Sequence, residues 1–160
     1  MANSRDDVVD GALRVLESHG LEFCSMRRIA AELGITPGAL YHHVADKQTL
    51  LGLMADRIVE PVVVDADLRS TAGRLRAAML ARRDGAEVVA TAVAFRLGYF
   101  ALEAALARES SADLARTLLI YVVGHTQTTQ LHRQAAALGI VEADPDLDAS
   151  FDRGLSILLD

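Results

Sequence analysis

The residues best suited to chemistry in this 160-residue sequence stand between Thr36 and Lys47, in the run TPGALYHHVADK. They form no nucleophile-and-base set. Their types suit the recognition of an anion. Thr36 is a helix-capping residue, and Pro37 fits the first helical position, where its missing N–H is not needed. Unpaired N–H groups at such a helix start, with Lys47 nearby, favour a phosphate. Gly38 and Ala39 are small, so the backbone that carries them can approach base edges closely. Tyr41 and His42 add polar tips directed toward phosphate, and Lys47 opens the next helical pattern.

Elsewhere the sequence offers no Gly-Ser or Cys-His nucleophile context, no paired-carboxylate motif and no phosphate loop, so no enzyme is expected. His42 and His43 are adjacent. On a helix they diverge by about 100° and cannot share a metal as an i, i+4 pair does. No metal or other cofactor is called for. His43 is expected to face the core.

These residues need a scaffold, and the preceding stretch supplies one. Met26, Ile29, Ala30 and Leu33 recur at three- and four-residue steps on one helical face. Gly34 can take the positive φ that stops a helix, and Ile35 returns to the core. Leu40, His43 and Val44 then mark the inward face of a second helix. The pattern predicts a helix-turn-helix whose second helix enters a DNA major groove. On spacing alone an αα-hairpin in a helical domain fits equally well.

The order of residue types is more specific. MRRIAAELGITPGALYHHVADKQTLL resembles the DNA-binding signature of the TetR family of transcriptional regulators. The matching features are Ala31–Gly34 before the turn, the small-residue run Pro37–Ala39, the Leu40, Tyr41 and His43 set, Lys47, and Leu50–Leu51. The resemblance covers residues 5 to about 60. It implies an operator-binding head in which residues 36–42 of two chains enter successive major grooves, roughly 34–36 Å apart. It further implies that Arg27 reaches a base edge, while Ser25, Thr36, Tyr41, His42 and Lys47 fix phosphate register.

Composition sets the frame for the rest. Hydrophobic residues make up 51% and charged residues 24%, with three prolines and one cysteine. An all-α globular chain is expected. No apolar run reaches the roughly 18 residues that span a bilayer, and Met1 opens no signal-peptide pattern. The single Cys24 excludes an intramolecular disulfide, so a cytoplasmic home is expected, with Cys24 a small buried hydrophobe. The net charge is −6. Residues 1–64 carry six basic against nine acidic side chains, yet the 25–47 stretch has three basic against two acidic. Any DNA footprint must therefore be local and salt-sensitive.

Helices are expected over 5–19, over 47–60, and, beyond a composition change at PVVVDADL (61–68), over 68–83, 87–108, about 112–137 and about 147–159. Residues 1–60 are taken as the DNA-binding domain and 61–160 as a ligand-binding and dimerisation domain. Ala81–Ala86 resembles a helix-ending element of tetracycline-repressor C-terminal domains. The polar run Gly124–Gln134 reads either as a pocket wall or as a polar flank facing water or a partner subunit.

The family resemblance implies a homodimer joined through helices 112–137 and 147–159, and an enclosed inducer pocket. Val89 and Arg133 stand where tetracycline-sensing members hold metal ligands, which speaks against a metal–tetracycline inducer. The expected inducer is apolar or amphipathic, contacting Met79, Val89, Val93, Phe95, Phe100, His125 and Gln127. The function implied is a ligand-responsive repressor released from a double-stranded DNA operator. The acidic head keeps a second reading open, a dimeric helical protein that sequesters a ligand or partner.

Overall fold

The computed structural model describes residues 4–98 and 100–160, with Phe100 described by its backbone alone. Among the described residues every regular element is helical: α1 (Arg5–His19), α2 (Met26–Glu32), α3 (Pro37–Leu40), α4 (Lys47–Val59), α5 (Leu68–Leu80), α6 (Gly85–Phe95), α7 (Phe100–Glu109), α8 (Ala112–Ala137) and α9 (Leu147–Leu159).

Caps written into the sequence set most of these boundaries. Ser4 and Asp7 form a reciprocal capping box on α1, with Ser4 Oγ accepting from Asp7 N at 3.1 Å and Asp7 Oδ2 accepting from Ser4 N at 2.7 Å. Ser25, Thr36, Asp46 and Ser111 cap α2, α3, α4 and α8 through one bond each, their side chains accepting from the backbone N–H three residues on. The α2 stop is a Schellman motif. Gly34 takes φ +67°, its N–H reaches Ala31 O at 3.1 Å, and Ile35 N reaches Ala30 O at 2.9 Å.

Two expectations need correction. The 68–83 helix stops at Leu80, because Asp84 adopts a left-handed φ of +53° and turns the chain directly into α6. The continuous helix expected over 87–108 is two helices. Arg96 (φ +54°) and Gly98 (φ +63°) are both left-handed, and Leu97 N caps Ala92 O at 2.8 Å. Tertiary docking holds this break in place. The Leu97 backbone lies so close to α4 that a Cβ on Gly52 would sit 3.2 Å from it. Tyr99, part of the bulky cluster expected there, lies outside the described residues.

A single apolar core runs through both halves. Val8, Ala12, Leu16, Ile29, Leu40 and Met54 fill it among the first four helices, and Leu75, Met79, Val88, Val89, Leu118 and Val122 continue it beyond. Helix α4 packs on both α1 and α6, and residues 61–67 form a non-helical connection to α5. Full burial of each large aliphatic side chain contributes about 1.5–3 kcal/mol. Cys24 is buried, and burial pushes its thiol above the usual range.

Candidate nucleic-acid interface and internal cavity

The helix-turn-helix is compact because Leu40 and Val44 are buried beneath it and Ile29 and Ala30 meet them from α2. Helix α3 is a single turn, followed by turn conformation through His43. Ser25, Arg27, Thr36, Pro37, Gly38, Tyr41, His42 and Lys47 are exposed on its outer side, and Ala39 is half-buried. His43 is half-buried, and its carbonyl accepts from Arg5 Nε at 3.3 Å.

Charge pairing resolves the apparent acidity of this half. Glu32 is held by Arg14 at 2.8 Å. Asp6, Asp10 and Glu60 surround Arg57. Asp7 and Asp46 are engaged as caps; hydrogen bonds from the Ser4 and Thr49 backbones hold both carboxyls below the usual carboxylate range. Arg27 and Lys47, by contrast, have no hydrogen bond or ion pair among the described residues. Arg28 lies 5.8 Å from the Phe23 ring centroid. The positive groups left uncommitted are those beside α3.

The chamber residues expected from the sequence are not brought together. Met79 and Val89 are fully buried in the core between helices. Phe95 is 66% exposed, because the chain turns at Arg96. The side chain of Phe100 lies outside the described residues. His125 faces α9, with Nε2 3.4 Å from Ser150 Oγ and its ring 5.3 Å from that of Phe151. Val93 and Gln127 do line a cavity of about 390 Å³ between α6, α7 and α8. Arg116, Leu119, Ile120 and Val123 complete its α8 wall, and the sequence reading missed them. The spacing 116, 120, 123, 127 is the i, i+4, i+7, i+11 stripe that would have found this wall.

A larger cleft of about 720 Å³ opens between α1, α4 and α7. Its rim holds Arg57 with Asp6 and Glu60, which pair with one another. The smaller cavity is the better ligand site, because Arg116 and Gln127 on its α8 wall have no hydrogen bond or ion pair among the described residues.

The rest of the polar run in α8 has structural work. Thr128 and Thr129 return their hydroxyls to the carbonyls of Gly124 and His125 at 3.0 and 2.9 Å. Gln130 accepts from Ala86 N at 3.0 Å and donates to Arg82 O at 2.9 Å. Gln134 donates to Asp84 Oδ1 at 2.7 Å, while Asp84 Oδ2 accepts from Leu21 N at 2.8 Å. The 82–86 turn is thus tied to α8 on one side and to the segment after α1 on the other. Arg133, at one of the metal-ligand positions considered above, pairs with Asp148 at 2.9 Å.

Burial first, and the Arg76 guanidinium second, hold the His125 imidazole below its usual range. The fold therefore prefers it neutral, whereas the unfolded chain takes up the proton near pH 6.5. Its contribution to stability is complete above about pH 6.5 and is lost as pH falls through the lower folded value. His125→Gln should flatten the decline of Tm between about pH 6.5 and 5. An unchanged slope would assign that decline to other groups.

Residues 8–54 match the family described as bacterial regulatory proteins, tetR family. Across its length the chain is similar to Mycobacterium smegmatis BioQ, with 34% identity over 98% of this chain and 95% of that one, at a TM-score of 0.88. The chain belongs to the TetR family. A structure of BioQ with its natural double-stranded DNA operator is also similar, at 34% identity, 99% and 96% coverage and a TM-score of 0.81. The curated TetR-family relatives include the transcriptional repressor DrrR1 of Streptomyces coeruleorubidus, 43% identical over 77 residues. That match covers 48% of this chain, and the chain spans only 28% of the length of DrrR1. Among the described residues no helix is long and apolar enough to cross a membrane.

Proposed function

We propose that this TetR-family chain is a ligand-responsive repressor that binds a palindromic DNA operator as a homodimer. The observation that carries the reading is the α2–α3 face. There the uncommitted cations Arg27 and Lys47 flank exposed Thr36, Gly38, Tyr41 and His42, while in the same half Asp6, Asp10, Glu32 and Glu60 are ion-paired and Asp7 and Asp46 are held in helix caps. Residues 1–60 act as the head and 61–160 as the body. Two heads sit in successive major grooves, with Arg27 on a base edge and Ser25, Thr36, Tyr41, His42 and Lys47 on phosphates. Pro37 starts the helix there, and Gly38 and Ala39 keep it small enough to approach the groove floor.

The α8 and α9 faces support a dimer. Leu131 and Ile157 are 49 and 85% exposed on them, and a second copy would cover such apolar surface. The inducer enters the α6–α8 cavity, whose wall meets the 96–98 break resting on α4, the helix that leads into the head. It releases DNA only by binding more tightly to the arrangement in which the heads are misplaced. The chain performs no catalysis in this scheme, and a DNA-bound role places it in the cytoplasm.

Fluorescence anisotropy against the DNA flanking its own gene, across a salt series, tests the reading. Arg27→Ala should cost about 1–3 kcal/mol at one base pair and relax specificity there, while Lys47→Ala should weaken all sequences alike and lower the salt slope by about one. Binding no better than to random DNA, followed by failure to select any site from a random library, would favour a sequestering protein.

A further inference from the structure

The α8 wall of the cavity carries two polar side chains with no partner, and they stand apart. Arg116 and Gln127 have no hydrogen bond or ion pair among the described residues. Most other arginines of the body are engaged: Arg69, Arg74, Arg76, Arg96, Arg133 and Arg153 in ion pairs, and Arg83 on backbone carbonyls. Eleven residues separate Arg116 from Gln127, three turns of helix, so both project from the same face roughly 16 Å apart along the axis. Between them the wall is apolar, with Leu119, Ile120 and Val123, and Val93 and Ala90 stand opposite on α6.

We propose that the ligand of this cavity is an elongated amphipathic carboxylate, its anionic head on Arg116, its apolar body along Val93, Leu119 and Val123, and a second polar group on Gln127. This rests on the chamber reading above and adds the class of molecule. A guanidinium is the side chain whose paired donors match a carboxylate in two parallel hydrogen bonds. Glu103 is the acidic residue on the lining, and it pairs with Arg96 at 3.9 Å. Glu103 is thus engaged by Arg96, and the Arg116 guanidinium is the group on the α8 wall that can receive an anion. Gln127 presents both an amide donor and a carbonyl acceptor, so the distal group can be a hydroxyl, a carbonyl or an amide. The cavity is of the size that buries a small organic molecule.

Calorimetry on the full chain with decanoate, ω-hydroxydecanoate and methyl decanoate separates these elements. The acid should bind at least about tenfold more tightly than its ester, and the ω-hydroxy acid more tightly still. Arg116→Gln should erase the preference of acid over ester, and Gln127→Leu should erase only the preference for the ω-hydroxyl. Acid and ester binding equally, Arg116→Gln leaving their ratio intact, or no probe binding at all would overturn the proposal. Gly124→Leu places a side chain into the cavity from a position where a Cβ meets nothing within 4 Å. It should abolish binding of every probe. Should the acid-over-ester preference survive that change undiminished, the carboxylate sits elsewhere and the chamber reading itself fails, a result distinct from a lost head-group preference.

Discussion

Gly85→Ala should destabilise the protein by about 1–3 kcal/mol although it adds a single methyl group. Gly85 is fully buried at the first position of α6, and a Cβ there would run into the carbonyl oxygen of Met79 and come within 2.9 Å of Arg82 Cβ. The first obstacle is backbone, so no rotamer change relieves it; the 80–85 turn must open. Opening that turn disturbs the Asp84 carboxylate between Leu21 N and Gln134, and with it the contact of α1 with α8. Each kcal/mol should lower Tm by roughly 2–4 °C for a chain of this size. Gly73→Ala is the control of opposite sign. Gly73 lies inside α5 with nothing within 4 Å of its Cβ position, so alanine there should stabilise by about 0.5–1 kcal/mol through helix propensity. Thermal melts of the two variants with the parent would check both. Equal melting of Gly85→Ala and the parent would mean that the turn is more plastic than its packing implies.

The contrast between these glycines shows where sequence was legible and where it was not. Local chemistry sets several helix ends, Gly20 after α1, Ser111 before α8 and Gly34 in the turn between α2 and α3, and the Gly34 stop was legible in the sequence. The exposure of the residues proposed to face an operator was legible for the same reason, since they occupy one short stretch whose faces follow from 3.6-residue spacing. The break between α6 and α7 was not. Arg96 has no intrinsic preference for a left-handed φ and adopts it because Leu97 and Gly98 dock on Gly52 and Asp56 of α4, over forty residues away. The chamber failed in a similar way. Met79 and Val89 are apolar and lie on the expected helices, but they point into the interhelical core. Arg116, an exposed arginine near the start of a long helix, reads as a solvated residue until the cavity beside it is known.

Gln130 carries the second large effect. It lies in the polar run of α8, where spacing alone allowed a pocket wall or a solvated flank, and it serves neither purpose. Its amide is buried and answers both sides of the 82–86 turn, accepting from Ala86 N at 3.0 Å and donating to Arg82 O at 2.9 Å. Ala86 is one of the first residues of α6, where backbone N–H groups have no carbonyl a turn earlier to receive them. Gln130→Ala removes an acceptor and a donor together: Ala86 N is left without a partner, Arg82 O keeps only its bond from Gly85 N at 3.0 Å, and the space loses side-chain volume. One unsatisfied buried group costs about 1–3 kcal/mol, so the variant should lose about that much. Gln130→Glu separates the two bonds, since a carboxylate can still accept from Ala86 N but must oppose the Arg82 carbonyl. Its loss should grow as pH rises above the usual glutamate range and shrink when the side chain is protonated, because the protonated acid again has a donor for Arg82 O. Urea titrations of the parent and both variants at pH 4.5 and 7.5 would measure these differences. A Gln130→Glu variant with the same stability deficit at both values would show that the Arg82 bond contributes little and that the Ala86 bond holds the turn.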